Sequence, residues 1–393
     1  MTVLTKAHST VPPRARAGLV LPGLGHLLVG DWVHGAGLLA LDGLLVLAAV
    51  SGTSHVPAWW APGPGGGLSV DDVLALVTWP ALAVSLWFVA YRRAFPRPLS
   101  HAARTSNWLV FRRALVRHRA GMMGFYGVVF MLLLTLLAPL VAPFDPNAVF
   151  VGDKNLPPDS VFWFGTDRFG RDVFSRLVVG GRLSLMVGVV AVSIATTVGT
   201  TVGAVAAFAG GRVDRLLMFL TDGLIALPKL VLLLTIVGMF RVQGPAGLFL
   251  IIAILGATGW MGVARIVRGQ VLSLREQDFV HAARALGLPS SRIVFRHILP
   301  NAMAPVIVYC SLATGGAMMA EASLSFLGLG MPPPTATWGV MVADGKVALR
   351  FAPHIAVFPG LAIMMAVLSF NLLGDGLRDA FDPKLRGYKS SKR

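Results

Sequence analysis

Charged side chains are scarce in this sequence. Only 13% of its 393 residues are Asp, Glu, Lys or Arg, whereas 55% are hydrophobic and the mean hydropathy is +0.72. Soluble domains carry about 25% charged residues, so this composition excludes an ordinary soluble protein. The sequence predicts an integral membrane protein.

Cysteine and the common catalytic motifs are also missing. The single cysteine, Cys310, excludes a disulfide within the chain, and its place in an apolar run argues against redox chemistry. No G-x-x-x-x-G-K-[ST] phosphate loop occurs, so the chain does not bind ATP by that route. There is no H-E-x-x-H motif, no paired-cysteine zinc spacing and no nucleophile elbow. We therefore expect no catalytic residues, no metal site and no cofactor, and predict that the chain is not an enzyme.

Acidic residues are few relative to basic ones. The 34 Lys and Arg against 18 Asp and Glu give a formal charge of +16, which would ordinarily suggest nucleic acid as a partner. Here the basic residues cluster between long apolar runs, where the membrane explains them. We predict contact with membrane lipid and no nucleic acid partner.

Long apolar runs predict eight membrane-spanning helices, because about 20 apolar residues are needed to cross the hydrocarbon core. Two are expected near 34–50 and 70–91, and residues 17–30 are expected to be interfacial or re-entrant. The interrupted apolar stretch up to Val50 is too long for a cleaved signal peptide. The other six spans are predicted at 122–142, 183–209, 216–240, 248–264, 302–327 and 355–373.

Basic residues are concentrated in alternate loops. If the N-terminus is cytoplasmic, the cytoplasmic segments hold 25 of the 34 Lys and Arg, the outer segments hold 8, and Lys229 lies within a span. The positive-inside rule therefore predicts a multi-pass protein with both termini in the cytoplasm. On this topology the loops 51–69, 144–180 and 328–352 face outward.

The polar stretch 273–300 separates two spans and predicts a helical hairpin. Ser273 and Glu276 form an S-x-x-E capping box, which favours a helix start there. Apolar or small residues then recur at helical spacing on one face. They are Phe279, Ala282, Ala283 and Leu286.

The hairpin also carries turn signals. Gly287 is suited to end the first helix in the left-handed conformation. Ser290 or Ser291 can cap a second helix that reaches Ile298, and Pro300 marks the entry to the next span. The sequence predicts a short helix–turn–helix at the cytoplasmic surface.

Two interpretations of this hairpin stay open from the residues alone. In the first, which the residues favour, it is an amphipathic surface element that stabilises the loop. In the second it is a docking element, in which small Ala282 and Ala283 permit close approach and the basic residues supply complementary charge.

The same stretch resembles the EAA loop of ABC importer permeases. The resemblance lies in Ala282-Ala283, Gly287 and Ile298-Leu299-Pro300, and the spelling AARALG…RIVFRHILPNA is similar to the dipeptide, oligopeptide and nickel branch. In that family the loop is a coupling helix seated in a groove of the ATPase subunit. The resemblance implies coupling roles for Glu276, His281, Ala282, Ala283, Arg284, Gly287, Arg292, Arg296 and Pro300. His281 stands at the family's glutamate position, which leaves Arg284, Arg292 and Arg296 to bind acidic ATPase surface.

Two further stretches extend the resemblance in family order. They are FGTDRFGRDVFSRLVVGGRLSL at 164–185 and the run from EASLSFLGLG at 321 to FDPKLRG at 387, so that about 110–387 is covered. The resemblance implies an all-α integral membrane fold, a six-span type-1 ABC importer permease core with two extra N-terminal spans. The expected division is an extension (1–100), a first core span with an extracytoplasmic amphipathic segment (101–181), the permease domain (182–376) and a basic cytoplasmic tail (377–393).

The function that the resemblance implies is translocation. The chain is expected to be a permease subunit of an ATP-driven importer of di- or oligopeptides or related small solutes in the bacterial plasma (inner) membrane. Its expected partners are a second homologous permease, two ABC ATPase subunits and an extracytoplasmic solute-binding protein. Import of nickel or another non-peptide solute by the same machinery stays open. So does a self-sufficient secondary transporter, although its internal repeats and mid-membrane ion site are not clear in the sequence.

Ionisable residues within spans are functional candidates, because they are costly in a membrane. Glu321, toward the outer end of its span, is the candidate for the translocation path, although a structural hydrogen bond is the favoured role. Asp222, Lys229 and Asp375 are placed near cytoplasmic ends, where snorkelling or pairing explains them equally well.

The outer segment 165–176 carries two oppositely charged pairs at i,i+4 spacing. Asp167 with Arg171 and Asp172 with Arg176 predict an amphipathic helix on the outer surface. Packing of the loop is narrowly favoured over contact with a solute-binding protein.

Overall fold

The structure is a computed structural model that describes Phe111 and residues 114–240 and 245–381. These residues are mostly helical, and their only β-type pairing is an isolated bridge between Thr166 and Asp172. The predicted spans near 34–50 and 70–91, the segment 17–30 and residues 382–393 of the basic tail lie outside the described residues.

The described helices follow one another with short connections except between α2 and α3. Two π-helical turns, Val294–Ile298 and Ser325–Leu329, flank α9 without interrupting it. The α-helices are α1 (Arg119–Leu136), α2 (Ala138–Val141), α3 (Val173–Ala209), α4 (Gly211–Ile225), α5 (Lys229–Phe240), α6 (Pro245–Leu274), α7 (Asp278–Ala285), α8 (Ser290–Ile293), α9 (Leu299–Leu324), α10 (Trp338–Lys346) and α11 (His354–Phe381).

The spans predicted for the core are present, with one change of shape. Five helical rods in the described residues are long and apolar enough to cross a membrane, and there are six if the pair α4–α5 counts as one. That pair, predicted as one span at 216–240, is bent by 84°. Pro228, just before α5, explains the break, because proline lacks an N–H and disfavours a helical residue before it.

Close contact between α3 and α6 forms one half of the bundle. Gly199 and Gly203 lie one turn apart on α3, and a methyl group at either would collide with the carbonyl oxygens of Trp260 and Ala264 on α6. Small residues at this spacing let membrane helices approach closely. In the other half, α1 packs on α11, and α9 lies between α11 and α3.

The short helix α10 is tied to α3 at the opposite end of the bundle from the hairpin. Trp338 is buried; its backbone N–H donates to Ser184 Oγ (2.9 Å) and its indole Nε1 donates to the carbonyl of Leu177 (2.8 Å). Thr337 caps α10 by accepting from the N–H of Val340 (3.2 Å). A buried indole requires such a partner for its N–H, so these bonds fix α10 on the bundle.

The prediction of an amphipathic helix at 165–176 is wrong. Asp167 and Arg171 do pair, at 2.7 Å, but within a turn, because Gly170 adopts φ +81° and ends any helical path there. Asp172 does not pair with Arg176. It instead caps α3 by accepting from the N–H of Ser175 (2.8 Å), while Arg176 lies 3.6 Å from Asp167.

The loop is therefore a buried cluster of charged side chains and not a surface helix. Asp167 also accepts from the backbone N–H groups of Phe169 (2.8 Å) and Arg171 (3.0 Å), which satisfies its carboxylate. Burial raises the pKa of Asp172 above its ordinary value, against the hydrogen bonds from Ser175. These contacts pack the loop, which is the role that the sequence favoured.

Candidate functional site

The hairpin between α6 and α9 begins later than predicted. α6 runs through Leu274, and α7 begins only at Asp278, with Gln277 as its N-cap. The capping box at Ser273 and Glu276 is therefore wrong, because Ser273 still belongs to the last turn of α6. Glu276 instead accepts from Arg275 Nε at 2.9 Å, and this bond lowers the pKa of Glu276.

Gly287 ends α7 as the sequence predicted. It adopts φ +74°, its N–H donates to the carbonyl of Arg284 (2.9 Å), and the N–H of Leu288 donates to that of Ala283 (3.2 Å). These two bonds are the Schellman pattern. A Cβ at Gly287 would meet no heavy atom within 4 Å, so glycine is favoured here by backbone conformation and not by space.

The second arm of the hairpin is continuous with a membrane span. The sequence predicted a boundary at Pro300, but α8, the π turn and α9 form one rod, in which the N–H of Leu299 donates to the carbonyl of Val294. Pro300 cannot donate, and its ring would clash with the carbonyl four residues earlier in an ordinary α-helix. The wider π turn relieves this conflict and keeps the rod intact.

The first helix of the hairpin has an inner and an outer face. Val280 (0% exposed) and Ala283 (6%) pack inward with residues of α6, α8 and α9. Phe279 (38% exposed) and Leu286 (81%) lie outside, as does Ala282. The single apolar face expected from the sequence is thus divided, because Ala283 contributes to the core of the bundle and not to the outer surface.

Most of the residues for which the resemblance implied coupling are available on the surface of this chain. Eight of the nine are exposed, and Ala283 is the exception. The eight are Glu276, His281, Ala282, Arg284, Gly287, Arg292, Arg296 and Pro300. The arrangement presents a small apolar patch with basic side chains around it, which suits contact with another protein.

One ion pair and one hydrogen bond hold the base of the hairpin. Arg268, near the end of α6, pairs with Asp214 of α4 at 2.5 Å, and Arg275 donates to the carbonyl of Ala207 at the end of α3 (3.4 Å). A single, partly exposed ion pair contributes little by itself, so the apolar contacts of the inner face carry most of the attachment.

Glu321, the candidate for the translocation path, does not line an open surface. It is 2% exposed, and its Oε1 accepts from Ser325 Oγ (2.8 Å) and Thr337 Oγ1 (2.9 Å). Thr337 is also the residue that caps α10. The structure therefore places Glu321 in a structural contact between α9 and α10, the role that the sequence favoured.

The sequence contained the apolar stripe that forms the outer patch, but its pattern did not show which side of the helix is exposed. Phe279, Ala282 and Leu286 lie at i, i+3 and i+7, which is one helical face. Val280, which lies one residue from this stripe, marks the buried side of the helix. The stripe itself lies on the exposed side.

Comparison with known proteins identifies the chain by family. The family described as "Binding-protein-dependent transport system inner membrane component" matches residues 199–387, and the N-terminal TM domain of oligopeptide transport permease C matches residues 106–158. The OppC oligopeptide transport permease of Bacillus subtilis is 41% identical over 280 residues, which cover 70% of this chain and 90% of that protein.

Other relatives are similar to the same extent. The GsiD glutathione transport permease of Escherichia coli is 41% identical over 281 residues, 71% of this chain and 91% of its own length. The DppC dipeptide transport permease of Alkalihalophilus pseudofirmus is 39% identical over 293 residues, 74% and 94% respectively. With its apolar rods and matched segments, the chain belongs to the family of binding-protein-dependent transport system inner membrane components, as a multi-pass permease.

Proposed function

We propose that the chain is the translocating subunit of an ATP-driven importer of peptides or related small solutes. We further propose that residues 275–298, the coupling hairpin, dock on a partner ATPase. The observation that carries the proposal is an apolar patch exposed on a hairpin that continues without a break into a membrane span.

The outer patch supports docking on another protein. Leu286 is 81% exposed at a polar end of the molecule, next to Phe279 and small Ala282. An aromatic and an aliphatic side chain around a small residue form the apolar centre of a protein interface, and a surrounding polar rim keeps water out. Such a patch on an otherwise charged surface marks an interaction site.

The charge around the patch indicates the kind of partner surface. Arg284, Arg292 and Arg296 are exposed on the two arms of the hairpin. Basic side chains around an apolar centre favour a partner with acidic residues at matching positions, and they speed association more than they tighten it. His281, exposed on the same helix, supplies no fixed negative charge.

The continuous rod explains how docking would drive transport. Because α8 and α9 are joined through the π turn, a displacement of the hairpin tilts the whole rod Val294–Leu329. Closure of two ATPases on ATP would pull the hairpin and re-orient this rod against a second permease subunit, which is alternating access by rigid-body motion. Repeated ATP hydrolysis in the partners makes this motion directional.

The names of the relatives support a peptide as the solute. They transport oligopeptides, dipeptides and glutathione, and all three are peptides or peptide-like molecules. An external solute-binding protein would deliver the peptide to the end of the bundle that carries α10. The hairpin and both termini would then lie in the cytoplasm, in agreement with the distribution of Lys and Arg.

The test is a pair of leucine substitutions at opposite ends of the molecule. Leu286→Glu puts a charge in the outer patch, and Leu349→Glu is the matched control, since Leu349 is 52% exposed between α10 and α11. Each variant is expressed with the partner permease and ATPases, normalised to its level in the membrane, and assayed for ATPase co-purification and ATP-dependent peptide uptake.

We expect Leu286→Glu to lose most of the co-purified ATPase and the uptake, because burying a carboxylate in an apolar contact is costly. Leu349→Glu should keep the co-purified ATPase. Undiminished ATPase recovery and uptake with Leu286→Glu would refute docking through this patch. Ion-driven peptide accumulation by the purified chain alone would refute the ATP-driven importer and favour a secondary transporter.

A further inference from the structure

Lys229 lies in the middle of the bundle and not near its cytoplasmic end, where the sequence placed it. It is the first residue of α5, just after the 84° bend, and it shares a cavity of about 270 Å³ with Gly259 of α6 and Tyr309 of α9. Gly259 is close to the midpoint of α6, and Tyr309 is close to the midpoint of the rod Val294–Leu329. Two helices therefore place Lys229 near the mid-height of the bundle.

The charge of Lys229 has no counter-charge in the part of the chain that the structure describes. No carboxylate pairs with it there, and its side chain is exposed on the surface of the single chain. The arginines near it on α6 differ, because Arg265 pairs with Asp222 of α4 at 2.6 Å and Arg268 pairs with Asp214. An unpaired lysine at this depth is costly and is found where it faces a water-filled route or a charged group.

The side chains around Lys229 do not offset its charge. The cavity is lined mainly by apolar residues, with the hydroxyl groups of Thr258 and Tyr309 as its other polar side chains. Thr258 already donates to the carbonyl of Ile254 in its own helix (2.8 Å). The hydroxyl of Tyr309 lies against Gly262, where a Cβ would collide with it. The cavity therefore has free space beside the ammonium group of Lys229.

A larger groove leads from the α10 end of the bundle to the same turn of α5. It encloses about 740 Å³ between α9 and α11, extends from Val342 of α10 to Leu230, and is mostly apolar. Leu230 is the neighbour of Lys229 in the chain, so the groove and the lysine cavity lie on two sides of the first turn of α5. The polar side chains that line the groove are Ser323 and Asn371.

We propose that Lys229 binds the carboxylate of the solute at the middle of the membrane, while the groove receives its apolar parts. The inference rests on the proposed function and adds a chemical class, a solute that carries a carboxylate. A free ammonium in an apolar wall is complementary to a single negative charge. In a peptide that group is the C-terminal carboxylate or an acidic side chain, and the two sources are separated by the choice of probe.

The experiment compares peptides that differ in one charge. Radiolabelled trialanine, its C-terminal amide, and the amide with one aspartate in place of alanine are supplied on saturated binding protein to proteoliposomes that contain the complete transporter. Lys229→Met removes the cation and Lys229→Arg keeps it. Lys154→Met, in the exposed outer loop, is the control for loss of a positive charge.

We expect Lys229→Met to reduce trialanine uptake about tenfold relative to the unchanged chain and to leave uptake of the amide, which lacks the carboxylate, as it was. Lys229→Arg should restore trialanine uptake, and Lys154→Met should alter neither peptide. A tenfold loss for the aspartate-containing amide as well would extend recognition to side-chain carboxylates. No loss for it would assign recognition to the C-terminus.

Equal loss for the acid and the amide, or normal uptake of both by Lys229→Met, would overturn the inference. Failure of the unchanged transporter to import any of these peptides would count against the proposed peptide function instead. In that case Lys229→Cys is made in a Cys310→Ser background and treated with a membrane-impermeant thiol reagent. Labelling would show that position 229 lies on a water-filled route, whereas full protection from the reagent would overturn the inference.

Discussion

At the scale of single residues, two buried carboxyl groups among the described residues are each bound by several donors. Asp167 is 3% exposed and is bound by two backbone N–H groups and by Arg171. Glu321 is 2% exposed and is bound by two hydroxyl groups. Buried polar groups are tolerated when their hydrogen bonds are satisfied, so neither residue requires a solute to account for its burial.

Glu321 should therefore matter for stability. Glu321→Ala removes the acceptor for Ser325 and Thr337, leaves two buried hydroxyl groups without it, and should cost about 1–3 kcal/mol of free energy of unfolding. Glu321→Gln keeps a carbonyl oxygen and should cost less. Ser193→Ala is the control, because Ser193 is exposed and bonds only within its own helix. The measurement is the thermal unfolding midpoint of the detergent-solubilised chain.

A different result would change the role of this residue. If Glu321→Ala and Glu321→Gln unfold at the same temperature as the unchanged chain but fail to transport, Glu321 acts on the solute. The translocation-path role expected as one possibility from the sequence would then be restored.

At the scale of elements, the coupling hairpin depends on the backbone conformation of one glycine and on a rigid connection to a membrane span. Its first helix ends through the left-handed conformation of Gly287, and its second arm is fixed to α9 through the π turn. The position of Leu286 depends on the first feature, and transmission to the span depends on the second. A change at Gly287 should therefore alter docking without disturbing the membrane-embedded helices.

Substitutions at Gly287 should follow backbone preference and not size. Valine strongly disfavours positive φ, at a cost of about 1–2 kcal/mol, whereas asparagine tolerates it. We expect Gly287→Val to insert normally but to lose ATPase co-purification and transport, and Gly287→Asn to keep most of both. Ala285→Val, at an exposed helical position of the same hairpin, is the control. Equal behaviour of Gly287→Val and Ala285→Val would show that the turn has no role in docking.

At the scale of the whole molecule, the two ends of the bundle are built differently. One end holds the charged loop around Asp167 together with α10, fixed on α3 through Trp338. The other end carries the exposed coupling hairpin. Between them, the rod Val294–Leu329 runs the length of the bundle and continues directly from the hairpin, so that one end can act on the other through it.

The orientation of these ends can be tested with single cysteines. Cys310 is replaced by serine, and Ser160→Cys or Ser290→Cys is introduced, both at exposed positions at opposite ends of the chain's bundle. On intact cells, a membrane-impermeant thiol reagent should label Ser160→Cys and spare Ser290→Cys, and permeabilised cells should label both. Labelling of Ser290→Cys on intact cells would invert the topology and remove the hairpin from any cytoplasmic ATPase.

The sequence by itself determined the local features of this protein. The core spans follow from long apolar runs, and Gly287 adopts the conformation expected of a glycine after a helix. These features depend on neighbours within a few turns, and the hydrocarbon core and backbone sterics act on them directly.

Only the tertiary structure decided which side chains face which neighbours. Ala283 is buried because α6 and α9 cover it, Glu321 is satisfied by Thr337 across a loop, and Arg176 turns to Asp167 instead of Asp172. Lys229 shares a cavity with Gly259 and Tyr309 at the 84° bend between α4 and α5. Each of these outcomes depends on contacts between segments distant in the chain, which helical periodicity and charge spacing do not encode.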